Sequence, residues 1–146
     1  MHLRLAFSCV TLVACATTTP STTTPSTKPT PLHFLENNYP TALAEARASH
    51  RPLFVDAWAP WCHTCRFMQS YVFADPALAP QAARFVFLSV DTEKAESADF
   101  LARYPIDVWP TLLVIDPAEE RAVLRWPGSA TVPQLERLLD DGARAI

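Results

Sequence analysis

The sequence predicts an α/β domain with a central mixed β-sheet flanked by helices. From residue 32 onward, apolar runs of strand length alternate with segments of helical period, a pattern typical of α/β folds. The last two apolar runs are joined by a short turn, which predicts an antiparallel pair of strands. With 146 residues, 49% of them apolar, the chain is long enough for one core and short for two. We therefore expect one folded domain over residues 32–146.

The first half of this domain is predicted to alternate strands and helices. Residues 32–36 form a short apolar strand, and the Ala-rich residues 41–49 form a helix that Arg51-Pro52 ends. Residues 53–58 form a buried strand with one carboxylate. After Pro60 the apolar residues recur at helical spacing, and we expect four of them on one side of a helix: Phe67, Met68, Tyr71 and Val72.

The second half contains clear helix and turn signals. Asp75-Pro76 combines an N-cap with proline at the first helical position, and Asp116-Pro117 marks a turn between strands. Pro105 ends a helix. The predicted elements are a short helix to about residue 83, strands at 85–90, 111–115 and 121–126, a helix at 96–104, and a last helix opened by the capping box Thr131 to Gln134.

Two cysteines separated by two residues are the strongest chemical signal. Cys62 and Cys65 lie at or just before a helix N-terminus, about one turn apart, so they can form a small disulfide ring. The helix dipole and unpaired N–H groups favour the thiolate of Cys62. Cys62 is therefore the expected nucleophile in a mixed disulfide, and Cys65 the thiol that resolves it.

Asp56 is the unexpected residue of the buried strand. An unpaired carboxylate in an apolar run costs several kcal/mol, and such a group normally takes up a proton. One interpretation places Asp56 at an edge where it reaches water. The other is a buried carboxyl of raised pKa that receives and returns the proton of Cys65, through water.

The segment VDxWAxWCxxCR at residues 55–66 resembles the active-site segment of thioredoxins. Trp109-Pro110-Thr111 resembles the cis-proline segment of that family, and Gly128 its late glycine. The continuation at residues 71–76 is similar to the periplasmic C-terminal domain of DsbD-type thiol:disulfide interchange proteins. The resemblance implies a thioredoxin fold with this set of roles: Cys62 attacks, Cys65 resolves, Asp56 is the buried acid, and Pro110 is the cis residue facing Cys62.

Three residues around the cysteines are expected to contact substrates. Trp61 belongs to the exposed rim of Cys62. A protonated His63 would favour the Cys62 thiolate and oxidant behaviour, whereas a solvated His63 would have little influence. Trp109 replaces the smaller aliphatic residue usual in thioredoxins, so it either narrows the range of partners, provides an aromatic docking surface, or only packs.

The N-terminus has the pattern of an export signal. Residues 1–14 combine Arg4, an apolar run and the small residue Ala14. The run has about half of the roughly 20 apolar residues that a transmembrane helix needs. Leu12-Val13-Ala14-Cys15 resembles a bacterial lipobox, which implies cleavage before Cys15 and its lipidation. The alternative is an ordinary secretory signal that leaves a soluble exported protein.

Residues 15–31 are expected to be a lipidated cysteine followed by a flexible Thr/Pro-rich tether. The stretch has a single charge, Lys28, and no large aliphatic residue, so it cannot bury enough apolar surface to order itself. Proline-rich chain extends about 3.1 Å per residue, so the tether reaches up to about 50 Å from a membrane. The domain would then face the periplasm or the cell exterior.

Composition argues against several other classes of function. The net charge of −3 and 18% charged residues provide no basic stripe for nucleic acid. Only two glycines, Gly128 and Gly142, are present, so no glycine-rich phosphate loop exists. We expect no cofactor, no bound metal and no nucleic-acid partner.

These observations together predict a membrane-tethered, extracytoplasmic thiol-disulfide oxidoreductase, acting as a monomer on protein disulfides. Because an oxidising compartment keeps the cysteine pair oxidised, a reductase needs an upstream thiol donor, such as a transmembrane thiol carrier. A thiol oxidase or isomerase is an alternative. A second alternative is copper binding or delivery through Cys62, Cys65 and His63. A third is a non-catalytic protein in which the Cys62–Cys65 disulfide only closes a loop.

Overall fold

The computed structural model of the protein describes residues 32–146. The predicted signal segment 1–14, the lipidation site Cys15 and the tether 15–31 lie outside the described residues, so they remain predictions.

A five-stranded mixed sheet forms the centre of the domain, as predicted. Its strands are β1 Phe34–Glu36, β2 Leu53–Trp58, β3 Val86–Asp91, β4 Thr111–Asp116 and β5 Arg121–Pro127. The spatial order is β1-β3-β2-β4-β5, which makes β2 the central strand. β3 pairs parallel to both β1 and β2, whereas β4 pairs antiparallel to β2 and to β5.

Helices cover both faces of this sheet. They are α1 Tyr39–Ser49, α2 His63–Phe67, α3 Ala98–Arg103 and α4 Val132–Arg144. α2 continues directly into a π-helical turn, Met68–Val72, and 3₁₀ turns occupy Pro76–Gln81 and Ala95–Ser97. The predicted helix at 96–104 is thus a 3₁₀ turn followed by α3. α1 begins two residues before its predicted start, because the Asn38 side chain caps it by accepting from the Thr41 N–H at 3.0 Å.

The core divides into two apolar layers, one on each face of the sheet. Phe54 of β2 packs with α4 and the segment after α2, whereas its neighbours Leu53 and Val55 pack on the opposite face with α1 and α3. This alternation follows from the two-residue period of a strand. α4 approaches β4 closely at Gly142, where an added Cβ would lie 2.6 Å from a methyl group of Val114. The close contact requires glycine there.

The predicted common side for the four apolar residues of α2 and the π-helical turn after it is wrong. Met68 and Val72 are buried, whereas Phe67 is 56% and Tyr71 67% exposed. Residues 67 and 71 form one stripe along the helix and residues 68 and 72 the next, because neighbouring residues are about 100° apart. Only the second stripe faces the sheet.

Candidate active site

Cys62 and Cys65 are joined by a disulfide at the start of α2, with their Cα atoms 5.3 Å apart. Cys62 is the N-cap residue in extended backbone conformation, and its sulfur accepts the backbone N–H of Cys65 at 3.1 Å. The exposed fraction is 7% for Cys62 and 0% for Cys65. Cys62 is therefore the more accessible of the two cysteines.

The start of α2 also favours the thiolate of Cys62 once the disulfide is reduced. The Cys65 N–H points at the Cys62 sulfur, and a charged acceptor strengthens such a hydrogen bond. The helix dipole acts in the same direction. A lower thiol pKa increases the fraction of the nucleophilic form. This geometry favours the thiolate of Cys62, and its role as the attacking group stays a prediction.

Asp56 lies in the central strand β2 with an exposed fraction of 1%, so the edge interpretation is wrong. The Gln69 side chain donates a hydrogen bond to Oδ2 of Asp56 at 3.1 Å. The other carboxylate oxygen, Oδ1, has no hydrogen-bond partner among the described residues. Burial raises the pKa of Asp56 to about 7, and the hydrogen bond from Gln69 opposes part of that rise. A carboxyl with this pKa both accepts and releases a proton near neutral pH.

Gln69 is a site residue that sequence reasoning missed. It lies four residues after Cys65, within the π-helical turn, and this position turns its side chain towards β2. A polar residue one helical turn after a buried cysteine, facing a strand with a lone carboxylate, is a signal that could have identified it.

Trp109 lies beside the cysteines and is held there by hydrogen bonding. The peptide bond between Trp109 and Pro110 is cis, as the resemblance implies, and Pro110 is buried. Trp109 packs against the cysteine cluster, and its Nε1 donates to Thr92 Oγ1 at 2.9 Å. Trp109 and Trp61 meet edge to face, with ring centroids 5.2 Å apart. That Pro110 faces Cys62 stays a prediction.

Trp61 and His63 are on the solvent side of the site. Trp61 is 57% exposed, and its Nε1 donates to Glu93 Oε1 at 3.3 Å. His63 is the first residue of α2 and is exposed. The structure thus brings Trp61 and Trp109 together beside Cys62, whereas the influence of His63 on the thiolate remains a prediction.

Two further properties concern metal binding and membranes. Within residues 32–146, no group of three or more His, Cys, Asp or Glu side chains is arranged to hold a metal ion. No helix in the described part of the chain is long and apolar enough to cross a membrane.

The chain belongs to the Thioredoxin-like family, whose pattern matches residues 35–117. This fold, with a disulfide between two cysteines at the start of α2, places the chain in the class of thiol-disulfide oxidoreductases.

Among particular relatives, the chain is similar to the thiol:disulfide interchange protein DsbD 2 of Pseudomonas aeruginosa. The two are 38% identical over 89 residues, 59% of this chain but only 15% of that protein. DsbD of Vibrio vulnificus is 37% identical over 57 residues, 39% of this chain and 10% of that protein. The chain thus spans a small part of these relatives.

Solved structures agree with this assignment. A putative disulphide-isomerase from Bacteroides thetaiotaomicron is 32% identical with a TM-score of 0.63, and the alignment covers 79% of this chain and 93% of that one. The reduced C-terminal domain of DsbD from Neisseria meningitidis has a TM-score of 0.60 at 19% identity, with 74% of this chain and 99% of that one covered, and shows the shared fold alone.

Proposed function

We propose that the protein reduces disulfide bonds of exported proteins through its Cys62/Cys65 pair. The observation that carries this proposal is the placement of a barely exposed Cys62, capped by an N–H donor, before a fully buried Cys65. This arrangement separates the attacking thiol from the resolving thiol. Asp56, buried in the adjacent strand with a pKa of about 7, is the proposed acid and base of the reaction.

The proposed reduction of a partner disulfide takes two thiol–disulfide exchange steps. The Cys62 thiolate attacks the partner disulfide, forms a mixed disulfide and expels one partner thiolate. The Cys65 sulfur then attacks Cys62 while its proton passes to Asp56, and the second partner thiolate leaves. The Cys62–Cys65 bond forms, the partner gains two electrons, and its thiolates take protons from solvent.

Similarity to thiol:disulfide interchange proteins supports exchange at the cysteine pair, and we infer the reducing direction from the resemblance to DsbD-type domains. A reductase outside the cytoplasm must be reset, since its dithiol becomes a disulfide after each turnover. We infer an upstream thiol donor, with a transmembrane thiol carrier as the chemical class. The N-terminal pattern supports export and a lipid anchor on Cys15, with the domain in the periplasm or at the cell exterior.

Isomerisation is the second candidate function. The similar structure from Bacteroides is described as a putative disulphide-isomerase. An isomerase must hold incompletely folded chains, and three large apolar side chains on and beside α2 are exposed by more than half: Trp61, Phe67 and Tyr71. Recovery of activity by a ribonuclease with scrambled disulfides, measured with catalytic amounts of pre-reduced protein and no other reductant, would favour this candidate over the reductase.

The chain has two other cysteines, Cys9 in the predicted signal segment and Cys15. The test uses the full chain with Cys9→Ser and Cys15→Ser, so that only Cys62 and Cys65 react. The reduction potential of the pair in defined thiol buffers decides the direction. A value near that of thioredoxin, about −270 mV, supports a reductase, and a value near that of DsbA, about −120 mV, an oxidant. Insulin reduction should be lost in Cys62→Ser, and full activity of that variant would contradict the proposal.

The anchor needs a separate measurement on the natural chain. Intact mass of the membrane-extracted protein should show Cys15 as the mature N-terminus carrying acyl chains. An unmodified Cys15, or a mature start elsewhere, would contradict the lipid anchor and leave the redox proposal untouched.

A further inference from the structure

A row of polar residues crosses one face of the sheet from its edge to its centre. In the strand register, Glu36 of β1 lies opposite Ser89 of β3, and Ser89 lies opposite Asp56 of β2. Residues in register share a face of the sheet. The neighbouring row on that face, two residues earlier in each strand, consists of three phenylalanines: Phe34, Phe87 and Phe54. The polar row is therefore a local departure from an apolar face.

A cavity of about 250 Å³ lies over this polar row. Glu36, Ser89, Asp56 and Gln69 contribute its polar wall. A water molecule occupies about 30 Å³ in the liquid, so the cavity has room for several waters. Neither Cys62 nor Cys65 lines the cavity. The cavity thus connects Asp56 with Glu36 of the edge strand without being lined by either cysteine.

Asp56 lines this cavity, and its buried carboxyl has one unused acceptor. Gln69 occupies Oδ2, and Oδ1 has no hydrogen-bond partner in residues 32–146. A buried carboxyl oxygen without a partner is costly in its ionised form, which favours the protonated carboxyl. Among the described residues, only two ionisable groups line the cavity, Glu36 of β1 and Asp56 of β2. Ser89 of β3 and Gln69 of the π-helical turn also line it, and both are neutral.

The reaction requires a route for one proton at this place. Asp56 takes the proton of Cys65 when the disulfide forms, and it must lose that proton before the next cycle. Cys65 is fully buried, and Asp56 is 1% exposed. Glu36, in contrast, is exposed at the end of the edge strand β1.

We propose that the row Glu36–Ser89–Asp56, with the hydrated cavity above it, is the path by which Asp56 exchanges its proton with solvent. Glu36 is the outer relay group at the mouth of the path. It is a positioning and relay residue that does not touch the reacting sulfurs. This inference rests on the proposed role of Asp56 as the base for Cys65.

The test measures proton release and disulfide formation in the same reaction. The fully reduced chain, with Cys9→Ser and Cys15→Ser, is mixed with Ellman's reagent in weakly buffered solution near the pKa of Asp56. Cys62 and Cys65 form their disulfide, the S–S bond of the reagent breaks, and its aromatic thiolates leave without protons. The two electrons pass to the reagent, and the protons of the dithiol pass to solvent, where an indicator dye reports them.

Glu36→Gln is expected to delay the release of the second proton about a hundredfold, the lower end of the range for loss of a proton-transfer group. Adding imidazole, a small diffusible acid and base, is expected to remove the delay in a concentration-dependent way. Glu96→Gln is the matched control, because it makes the same charge change at an exposed glutamate outside the cavity. It should behave as the parent chain.

Two outcomes would overturn the proposal. One is a Glu36→Gln chain that releases protons as fast as Glu96→Gln at every buffer concentration. The other is a delay that imidazole does not relieve, since a merely structural effect would not respond to buffer. Asp56→Asn separates this result from the proposed function. If Asp56→Asn slows disulfide formation while Glu36→Gln has no effect, Asp56 keeps its role and the path fails; if Asp56→Asn has no effect, both fail.

Discussion

Replacement of Asp56 by asparagine should remove a pH-dependent cost to the stability of the domain. The unfolded chain releases the Asp56 proton above the ordinary value of 3.8, whereas the folded protein keeps it to about pH 7. Between these values the unfolded state binds fewer protons than the folded state, so stability falls as pH rises. Below pH 3.8 the carboxyl is protonated in both states, so its burial carries no charge cost and the stability is fully present. Above about pH 7 it is ionised in both states, and the loss of unfolding free energy no longer grows. Asp56→Asn does not titrate and should show no such fall.

The size of the effect follows from the shift of the pKa. A rise from 3.8 to about 7 is roughly three units, and each unit corresponds to about 1.4 kcal/mol, so the cost above neutral pH is about 4 kcal/mol. Desolvation of the fully buried carboxylate is the largest cause, and the Gln69 hydrogen bond already offsets part of it. The amide introduced by Asp56→Asn carries no charge to desolvate. The variant should therefore be more stable than the parent chain at alkaline pH.

The assay is denaturant unfolding of the oxidised chain from about pH 4 to pH 9. The difference in unfolding free energy between Asp56→Asn and the parent should grow with pH and level off above about pH 7. Asp107→Asn, at an exposed aspartate, is the control for the loss of one negative charge. Parallel curves for Asp56→Asn and the parent would refute the argument that Asp56 is a desolvated carboxyl.

Three further changes test neighbouring parts of the structure. Gln69→Leu should raise the midpoint of Asp56 in a ¹³C NMR titration above about 7, because it removes the donor that lowers this pKa; an unchanged midpoint would rule out that hydrogen bond. Cys65→Ser should accumulate mixed disulfides on non-reducing gels, and their absence would argue against Cys65 as the resolving thiol. Gly142→Ala should lower the unfolding free energy by about 1–3 kcal/mol, because its Cβ would overlap Val114.

Short-range features of the domain were predictable from the sequence. β2 has its predicted bounds, Leu53–Trp58, since an apolar run between a proline and a turn depends only on neighbouring residues. The position of Cys62 at a helix N-terminus was predictable for the same reason, and its sulfur accepts the N–H of Cys65. The capping box at Thr131 also formed, with Gln134 accepting the Thr131 N–H at 2.8 Å.

Contacts between distant segments were decided by the tertiary structure. The burial of Asp56, its hydrogen bond from Gln69 and its alignment with Ser89 and Glu36 depend on which strands pair and in which register. Local periodicity does not identify the partner of each strand, since β2, β3 and β4 are nearly continuous buried runs without a polar face. The sequence by itself therefore determined the cysteine pair and the local elements around it. Only the packed sheet decided where the carboxyl lies and how it reaches solvent.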